Sequence, residues 1–195
     1  ARLQHKPPLA PWHDLEADLE ALAAVGKALD KRDPEQALAD LERLADTWFV
    51  AEASTLRGTA HAYLGDDAAA RASFEAALAV DPKHYRALTN LGNVVLEEGD
   101  VDQAIARYQE ALAVNEEFPN AHHNLGVAYR RKGEVGKSVR HLRRAQRLTY
   151  KQDAADARES FMRGGGRRFG SAVKWVLWIA VGAVVWWVLR SQGVL

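Results

Sequence analysis

The chain has 195 residues, 48% hydrophobic and 27% charged, which is enough for one modest folded domain plus an appendage. It contains no cysteine, which excludes disulfides, thiolate zinc sites and cysteine nucleophiles. The formal net charge of zero conceals an asymmetry. Residues 1–118 hold 11 Lys and Arg against 22 Asp and Glu, whereas residues 119–195 hold 15 against 4. The charge of each segment, and not the net charge of the chain, therefore indicates what that segment can bind.

The N-terminal segment, residues 1–13, is short and contains prolines, so we expect it to be extended. It has no apolar run of the length that a secretory signal needs. Because the chain starts at Ala1, we favour removal of an initiator methionine over removal of a leader, although the second alternative stays open.

An internal repeat dominates the middle of the chain. Gly58, Gly92 and Gly126 stand 34 residues apart, and this spacing is the period of the repeat. The other positions that keep this step are Gly65, Gly99 and Gly133, then Ala70, Ala104 and Ser138, then Phe74, Tyr108 and Leu142, and finally Ala77, Ala111 and Ala145. A fixed period of this length is typical of a solenoid.

Each period is predicted to form two helices, for example at 85–98 and 101–114. Gly99 separates these two, and Asp100 is placed to cap the second. We expect the small Gly92 to lie where the helices meet, while Tyr108 fills the gap between hairpins. The pattern therefore predicts a stack of helical hairpins.

The sequence resembles the tetratricopeptide repeat family through the segments AEASTLRGTAHAYLGDDAAARASFEAALAVDP, RALTNLGNVVLEEGDVDQAIARYQEALAV and NAHHNLGVAYRRKGEVGKSVRHLRRA. These correspond to repeats at 51–84, 85–118 and 119–152. A degenerate repeat that lacks the glycines is predicted at 14–50, with Asp33-Pro34 starting its second helix. The resemblance implies an all-α solenoid of helical hairpins.

The C-terminal part departs from the repeat. A polar stretch at 151–162 is predicted to be a helix that caps the solenoid, and 163–171 is a Gly/Arg linker. Residues 172–190 are predicted to form a single transmembrane helix followed by a short tail, 191–195. Its first eighteen residues carry one charge, Lys174, and extend about 27 Å as a helix, which nearly spans a bilayer core.

Aromatic and basic residues support the membrane prediction. Interfacial anchors are expected at both ends of the span: Trp175, Trp178, Trp186 and Trp187. More Lys and Arg precede the span than follow it, which favours a cytoplasmic repeat domain, and the Arg and Ala bias favours a bacterial inner membrane. A buried helix of the soluble domain is the alternative. An in-plane helix is excluded because the stretch has no polar face.

The first helices of such repeats are expected to line a groove that binds protein. The candidate groove residues are Arg86, Thr89, Asn90, Asn93, Asn120, His123, Asn124, Arg130 and Arg131. Asn90 and Asn124 resemble an asparagine ladder that holds an extended peptide through its backbone. The alternative is that these amides only satisfy turn or inter-helix hydrogen bonds. A carboxylate clamp for a peptide C-terminus is improbable because its lysines are missing.

A basic cluster occupies the repeat nearest the predicted span. Its members are Lys132, Lys137, Arg140, Arg143, Arg144 and Arg147. It is interpreted as a surface for anionic membrane lipid or an acidic partner, with a solvated helix face as the alternative. Nucleic acid is a weaker candidate, because no aromatic residues interleave with the cations.

The sequence shows no motif that is typical of catalysis or of metal or cofactor binding. His122, His123 and His141 lack a ligand spacing, so we predict no metal and no cofactor. No phosphate loop or nucleophile motif occurs, and no small-molecule substrate or enzymatic activity is expected.

The leading hypothesis is a membrane-anchored scaffold that recruits or assembles a protein partner at the cytoplasmic face of a membrane complex. One alternative is an accessory subunit of a large membrane complex, held through the transmembrane helix. The other is a tail-anchored adaptor of the fission type.

Overall fold

The structure is a computed structural model that describes residues 12–42, 44 and 49–162, and every element in this part is a helix. The first seven helices are α1 Trp12–Asp30, α2 Pro34–Glu42, α3 Val50–Leu64, α4 Asp67–Val80, α5 Tyr85–Glu97, α6 Val101–Val114 and α7 Pro119–Arg131. An eighth, α8, begins at 135 and is helical through 162. The chain divides into two compact units, 1–146 and 147–195.

The predicted helical hairpin is confirmed in α5 and α6, which match the expected stretches at 85–98 and 101–114. The carboxylate of Asp100 accepts a hydrogen bond from the backbone N–H of Gln103 at 3.0 Å and so caps α6. Gly99 precedes it with a φ of +96°, a left-handed conformation that favours glycine. Local sequence therefore sets where one helix ends and the next begins.

The first hairpin, α1 and α2, makes the same turn without a glycine. α2 begins at Pro34, and Asp33 accepts a hydrogen bond from the backbone N–H of Gln36 at 3.2 Å. Arg32 takes the place in this turn that Gly65 has in the next hairpin, and it adopts a φ of +59°. A left-handed residue other than glycine costs about 1–2 kcal/mol, so this turn is strained.

Inside the hairpins, a glycine on the first helix faces a bulky residue on the second. The pairs are Gly58 with Phe74, Gly92 with Tyr108 and Gly126 with Leu142. A Cβ on Gly92 would lie 2.6 Å from Cε1 of Tyr108, which is far closer than carbon atoms can approach. The expected packing of small against large residues is confirmed, and it allows the two helices to approach closely.

The hairpins stack so that neighbouring first helices touch. α1 contacts α3, α3 contacts α5 and α5 contacts α7, whereas the second helices α2, α4 and α6 do not bring any of their Cα atoms within 8 Å of one another. The first helices therefore lie closer together, on the inner side of the stack.

The region predicted to be a capping helix, 151–162, is helical but is not a separate element. It continues α8 without a break, and every residue from 149 to 162 is exposed. Of residues 147–162, Leu148 alone is buried. No glycine or proline interrupts the helix between 137 and 162, so the predicted stretch forms the C-terminal part of α8. Its role as a cap stays a prediction.

The predicted linker and transmembrane helix, 163–171 and 172–190, lie outside the described residues, as do the short tail and residues 1–11 of the segment 1–13 that was predicted to be extended. The same holds for Trp175, Trp178, Trp186 and Trp187. The last two residues of the segment 1–13 are helical, because α1 begins at Trp12. Among the helices that the structure describes, none combines the length and the hydropathy that crossing a bilayer requires.

Candidate protein-binding face

On each of the helices α3, α5 and α7, four positions with the spacing i, i+4, i+7 and i+11 share one side of the helix. On α3 they are Glu52, Leu56, Thr59 and Tyr63, on α5 Arg86, Asn90, Asn93 and Glu97, and on α7 Asn120, Asn124, Val127 and Arg131. Because the repeat has a fixed period, each position has a counterpart on the neighbouring first helix. These twelve residues define the first-helix face.

Side-chain amides link the first helices across the middle of this face. Asn90 Nδ2 donates to Oγ1 of Thr59 at 3.2 Å, and Asn124 Nδ2 donates to Oδ1 of Asn93 at 2.7 Å. The two contacts have the same separation along the chain, so one is the repeat of the other. The inter-helix hydrogen bonds considered as an alternative are therefore present. Within the described residues, the Oδ1 atoms of Asn90 and Asn124 accept no hydrogen bond.

Asn93 is held from two sides. Its Oδ1 accepts from the hydroxyl of Tyr108 at 2.8 Å as well as from Asn124. Tyr108 is fully buried, and this burial raises the pKa of its hydroxyl well above the usual value. The core thus holds the orientation of a side chain on the first-helix face.

Ion pairs connect the hairpins at the two edges of the face. Arg86 donates to Glu52 at 2.9 Å, and Arg131 donates to Glu97 at 2.8 Å. His84 also binds Glu52, at 3.0 Å, and this hydrogen bond lowers the pKa of that carboxyl group. Two of the predicted groove cations are therefore already engaged with carboxylates of the fold.

Three other predicted groove residues lie off these four positions. Thr89 is 2% exposed, and its hydroxyl donates to the carbonyl of Tyr85 at 2.8 Å. It precedes Asn90 and so points about 100° away around the helix, which makes its assignment to the groove wrong. His123 and Arg130 are exposed, but they occupy the same displaced register as Thr89.

A pocket of about 320 Å³ opens on the face between α3 and α5. Its lining residues are Thr59, Ala62, Tyr63, Asp67, Phe74, Asn90, Asn93, Val94 and Glu97. Two of them, Asn90 and Asn93, belong to the predicted groove. Sequence reasoning missed Thr59, Tyr63 and Glu97. The period could have found them, since they stand one repeat before Asn93, Glu97 and Arg131.

The predicted basic cluster is partly neutralised. Lys132 binds Asp102 at 2.6 Å, Lys137 binds Glu134 at 2.5 Å, and Arg144 lies 3.8 Å from Glu116. Arg140, Arg143 and Arg147 are exposed, without an ion pair to any residue that the structure describes. Its role as a lipid or acidic-partner surface stays a prediction and rests on these three arginines.

Of the three histidines that were considered as metal ligands, His122 and His141 meet between α7 and α8. His122 Nδ1 lies 3.0 Å from Nδ1 of His141, and His122 Nε2 lies 2.9 Å from the carbonyl of Glu116. Burial lowers the pKa of both imidazoles. His123 stays apart and exposed, and in the described part of the chain no three potential ligands gather at a metal-binding distance.

Family models agree with the repeat that the structure shows. A model described as TPR repeat matches residues 92–133, and two described as tetratricopeptide repeat match 55–106 and 121–154. Together these matches run without a gap from 55 to 154. Residues 55–154 therefore carry tetratricopeptide repeats. Such repeats are protein-interaction scaffolds, and the fold is of this scaffold type.

Solved structures support the same fold class. A crystal structure of MamA is 24% identical with a TM-score of 0.56, over 70% of this chain and 81% of that one. A structure of pilF from Pseudomonas aeruginosa is 22% identical with a TM-score of 0.61, over 68% of this chain and 61% of that one. Identities this low show the all-helical solenoid and nothing about function. No curated protein matches the chain.

Proposed function

We propose that this tetratricopeptide repeat protein is a membrane-anchored scaffold that captures an extended segment of a partner protein on its first-helix face. The observation that carries the proposal is the repeated amide contact, Thr59 with Asn90 and Asn93 with Asn124. An amide side chain both donates and accepts, so amides one period apart suit the backbone of an extended peptide.

The inter-helix hydrogen bonds assist this role. They hold the amides of Asn90 and Asn124 in place before a partner arrives, which reduces the entropy lost on binding. The carbonyl oxygens of the two side chains accept no hydrogen bond within the described residues, so they are available to peptide N–H groups. The hydrogen bonds thus add to a binding role and do not replace it.

The anchor in this proposal is the predicted transmembrane helix at 172–190. Its apolar sequence and its four tryptophans support membrane insertion. The exposed Arg140, Arg143 and Arg147 are available to anionic lipid, each contributing on the order of 1 kcal/mol near such a surface. The repeat domain would then present its binding face on the cytoplasmic side. The scaffold-type fold favours a role without catalysis.

The test is affinity purification of the tagged full-length chain from detergent-solubilised native membranes, followed by mass spectrometry. The variant Asn90→Ala/Asn124→Ala removes both ladder amides, and Gln146→Ala is the control for loss of an exposed amide elsewhere in the repeats. A version that ends at Arg163 removes the predicted anchor.

We expect the double variant to lose the partner while the control and the truncated chain retain it. Circular dichroism must show that the double variant keeps its helical content. Unchanged capture by a folded double variant would refute the proposal. Co-purification of integral membrane proteins that depends only on residues after 163 would favour the accessory subunit instead.

A further inference from the structure

The place between α5 and α7 that corresponds, one period later, to the pocket between α3 and α5 holds an arginine of the chain. Arg131 Nη1 donates to the backbone carbonyl of Leu96 at 2.9 Å, and its Nη2 donates to Glu97 at 2.8 Å. Moved back by one period, the position of Arg131 is Glu97, which can donate nothing. The pocket therefore lacks the guanidinium that the chain supplies at the equivalent place.

The backbone acceptor for such a guanidinium is repeated in the pocket. Leu96 is the counterpart of Ala62, and both carbonyls accept a hydrogen bond of 3.2 Å from the glycine that ends their helix. The Leu96 carbonyl uses its remaining lone pair to accept from Arg131. The Ala62 carbonyl occupies the same turn with one lone pair to spare.

The charges of the pocket favour a cation. Asp67 and Glu97 line it, and none of the described residues in the lining is a lysine or arginine. Asp67 is exposed and forms no ion pair within the part of the chain that the structure describes. Glu97 binds Arg131 through Oε1 alone, which leaves Oε2 available.

The apolar walls favour arginine in particular. Tyr63 is 54% exposed at the pocket, and a guanidinium can stack on such a ring. Phe74 occupies the floor where the next hairpin has Tyr108, so no hydroxyl competes for the polar groups. A planar fork of donors can serve a carbonyl and a carboxylate together, which a lysine ammonium does less well.

We propose that the pocket binds an arginine side chain from the extended segment of the partner protein. This inference rests on the proposed function and names a side chain that the first-helix face selects. In the bound state the arginine donates to the Ala62 carbonyl, as Arg131 donates to that of Leu96 one period later, and it pairs with the carboxylates of Asp67 and Glu97. The chain thus fills one such position itself and leaves the other to its partner.

The probe is the blocked pentapeptide acetyl-Ala-Ala-Arg-Ala-Ala-amide, and its twin carries the isosteric, uncharged citrulline. Binding to the full-length ¹⁵N-labelled chain in detergent micelles is followed through the side-chain amide resonances of Asn90 and Asn93, which line the pocket. The variants are Asp67→Asn and Glu97→Gln. Glu35→Gln removes an exposed carboxylate of α2 and serves as the charge-matched control.

We expect the arginine peptide to shift these resonances at millimolar concentration and the citrulline peptide to bind at least about tenfold more weakly. Each of the two pocket variants should lower the affinity by about threefold to tenfold, and the control should not. Equal binding of both peptides, no shift with the arginine peptide, or equal loss in the control would overturn the proposal.

The two proposals fail separately. If Asp67→Asn captures the native partner as the wild type does, while Asn90→Ala/Asn124→Ala does not, the face binds protein but the arginine pocket is refuted. If the peptide binds as expected and the asparagine variant still captures its partner, the pocket stands and the amide ladder has no role in recruitment.

Discussion

The buried hydroxyl of Tyr108 provides the sharpest test of how the core and the first-helix face are coupled. It donates to Asn93, whereas one period earlier the same two positions are Phe74 and Thr59. The single change Asn93→Thr removes the acceptor of a fully buried donor. An orphaned buried donor costs about 1–3 kcal/mol, and we expect the free energy of unfolding to fall by this amount.

The partner change Tyr108→Phe removes the donor instead. Asn93 keeps its hydrogen bond from Asn124, so the loss should be about 0.5–1.5 kcal/mol. The double variant installs the pair that the preceding hairpin already uses. We expect it to be no less stable than Tyr108→Phe alone, which corresponds to a coupling energy at least equal to the loss in Asn93→Thr, about 1–3 kcal/mol.

The assay is urea unfolding of the full-length chain in detergent, monitored by circular dichroism. The wild type, the two single variants and the double variant are compared, provided that the free energy of unfolding falls with urea concentration at the same slope in all four. A loss of about 2 kcal/mol should also lower Tm by about 4–8 °C. The reciprocal cycle, Thr59→Asn with Phe74→Tyr, controls for the site of substitution. Additive losses in the first cycle would refute the coupling, and a neutral Asn93→Thr would show that the hydroxyl finds another acceptor.

Two further changes test the turns and the last hairpin. Arg32→Gly should raise the free energy of unfolding by about 1 kcal/mol in urea titrations, because it relieves the left-handed φ at Arg32, whereas a destabilised variant would contradict the strain. Burial lowers the pKa of His122 below the ordinary 6.5, so the unfolded chain binds the proton more readily. The free energy of unfolding should therefore be highest above about pH 6.5 and should fall as the pH is lowered. In His122→Gln this dependence on pH should be weaker, and an unchanged dependence would show that the imidazole does not contribute.

Most of the fold follows from the sequence, because the hairpin is encoded locally. A left-handed turn calls for glycine at 99, an aspartate at 100 supplies the cap, and a glycine at 92 admits the ring of Tyr108. Each of these requirements involves residues less than one period apart, so the glycines recur visibly in the three clear repeats and the capping aspartate in two of them. The hairpins, their order and their small-against-large packing were therefore predictable, as was the protein-interaction class that comes with the repeat.

The candidate site depends on contacts between hairpins, which the period does not specify. Asn90 reaches Thr59 and Asn124 reaches Asn93 at an offset set by how neighbouring first helices lie against each other. The burial of Thr89 follows from the direction of one side chain around its helix. The sequence by itself determined the hairpins and the composition of the surface. Only the stacking decided which polar groups are used within the fold and which remain open to a partner.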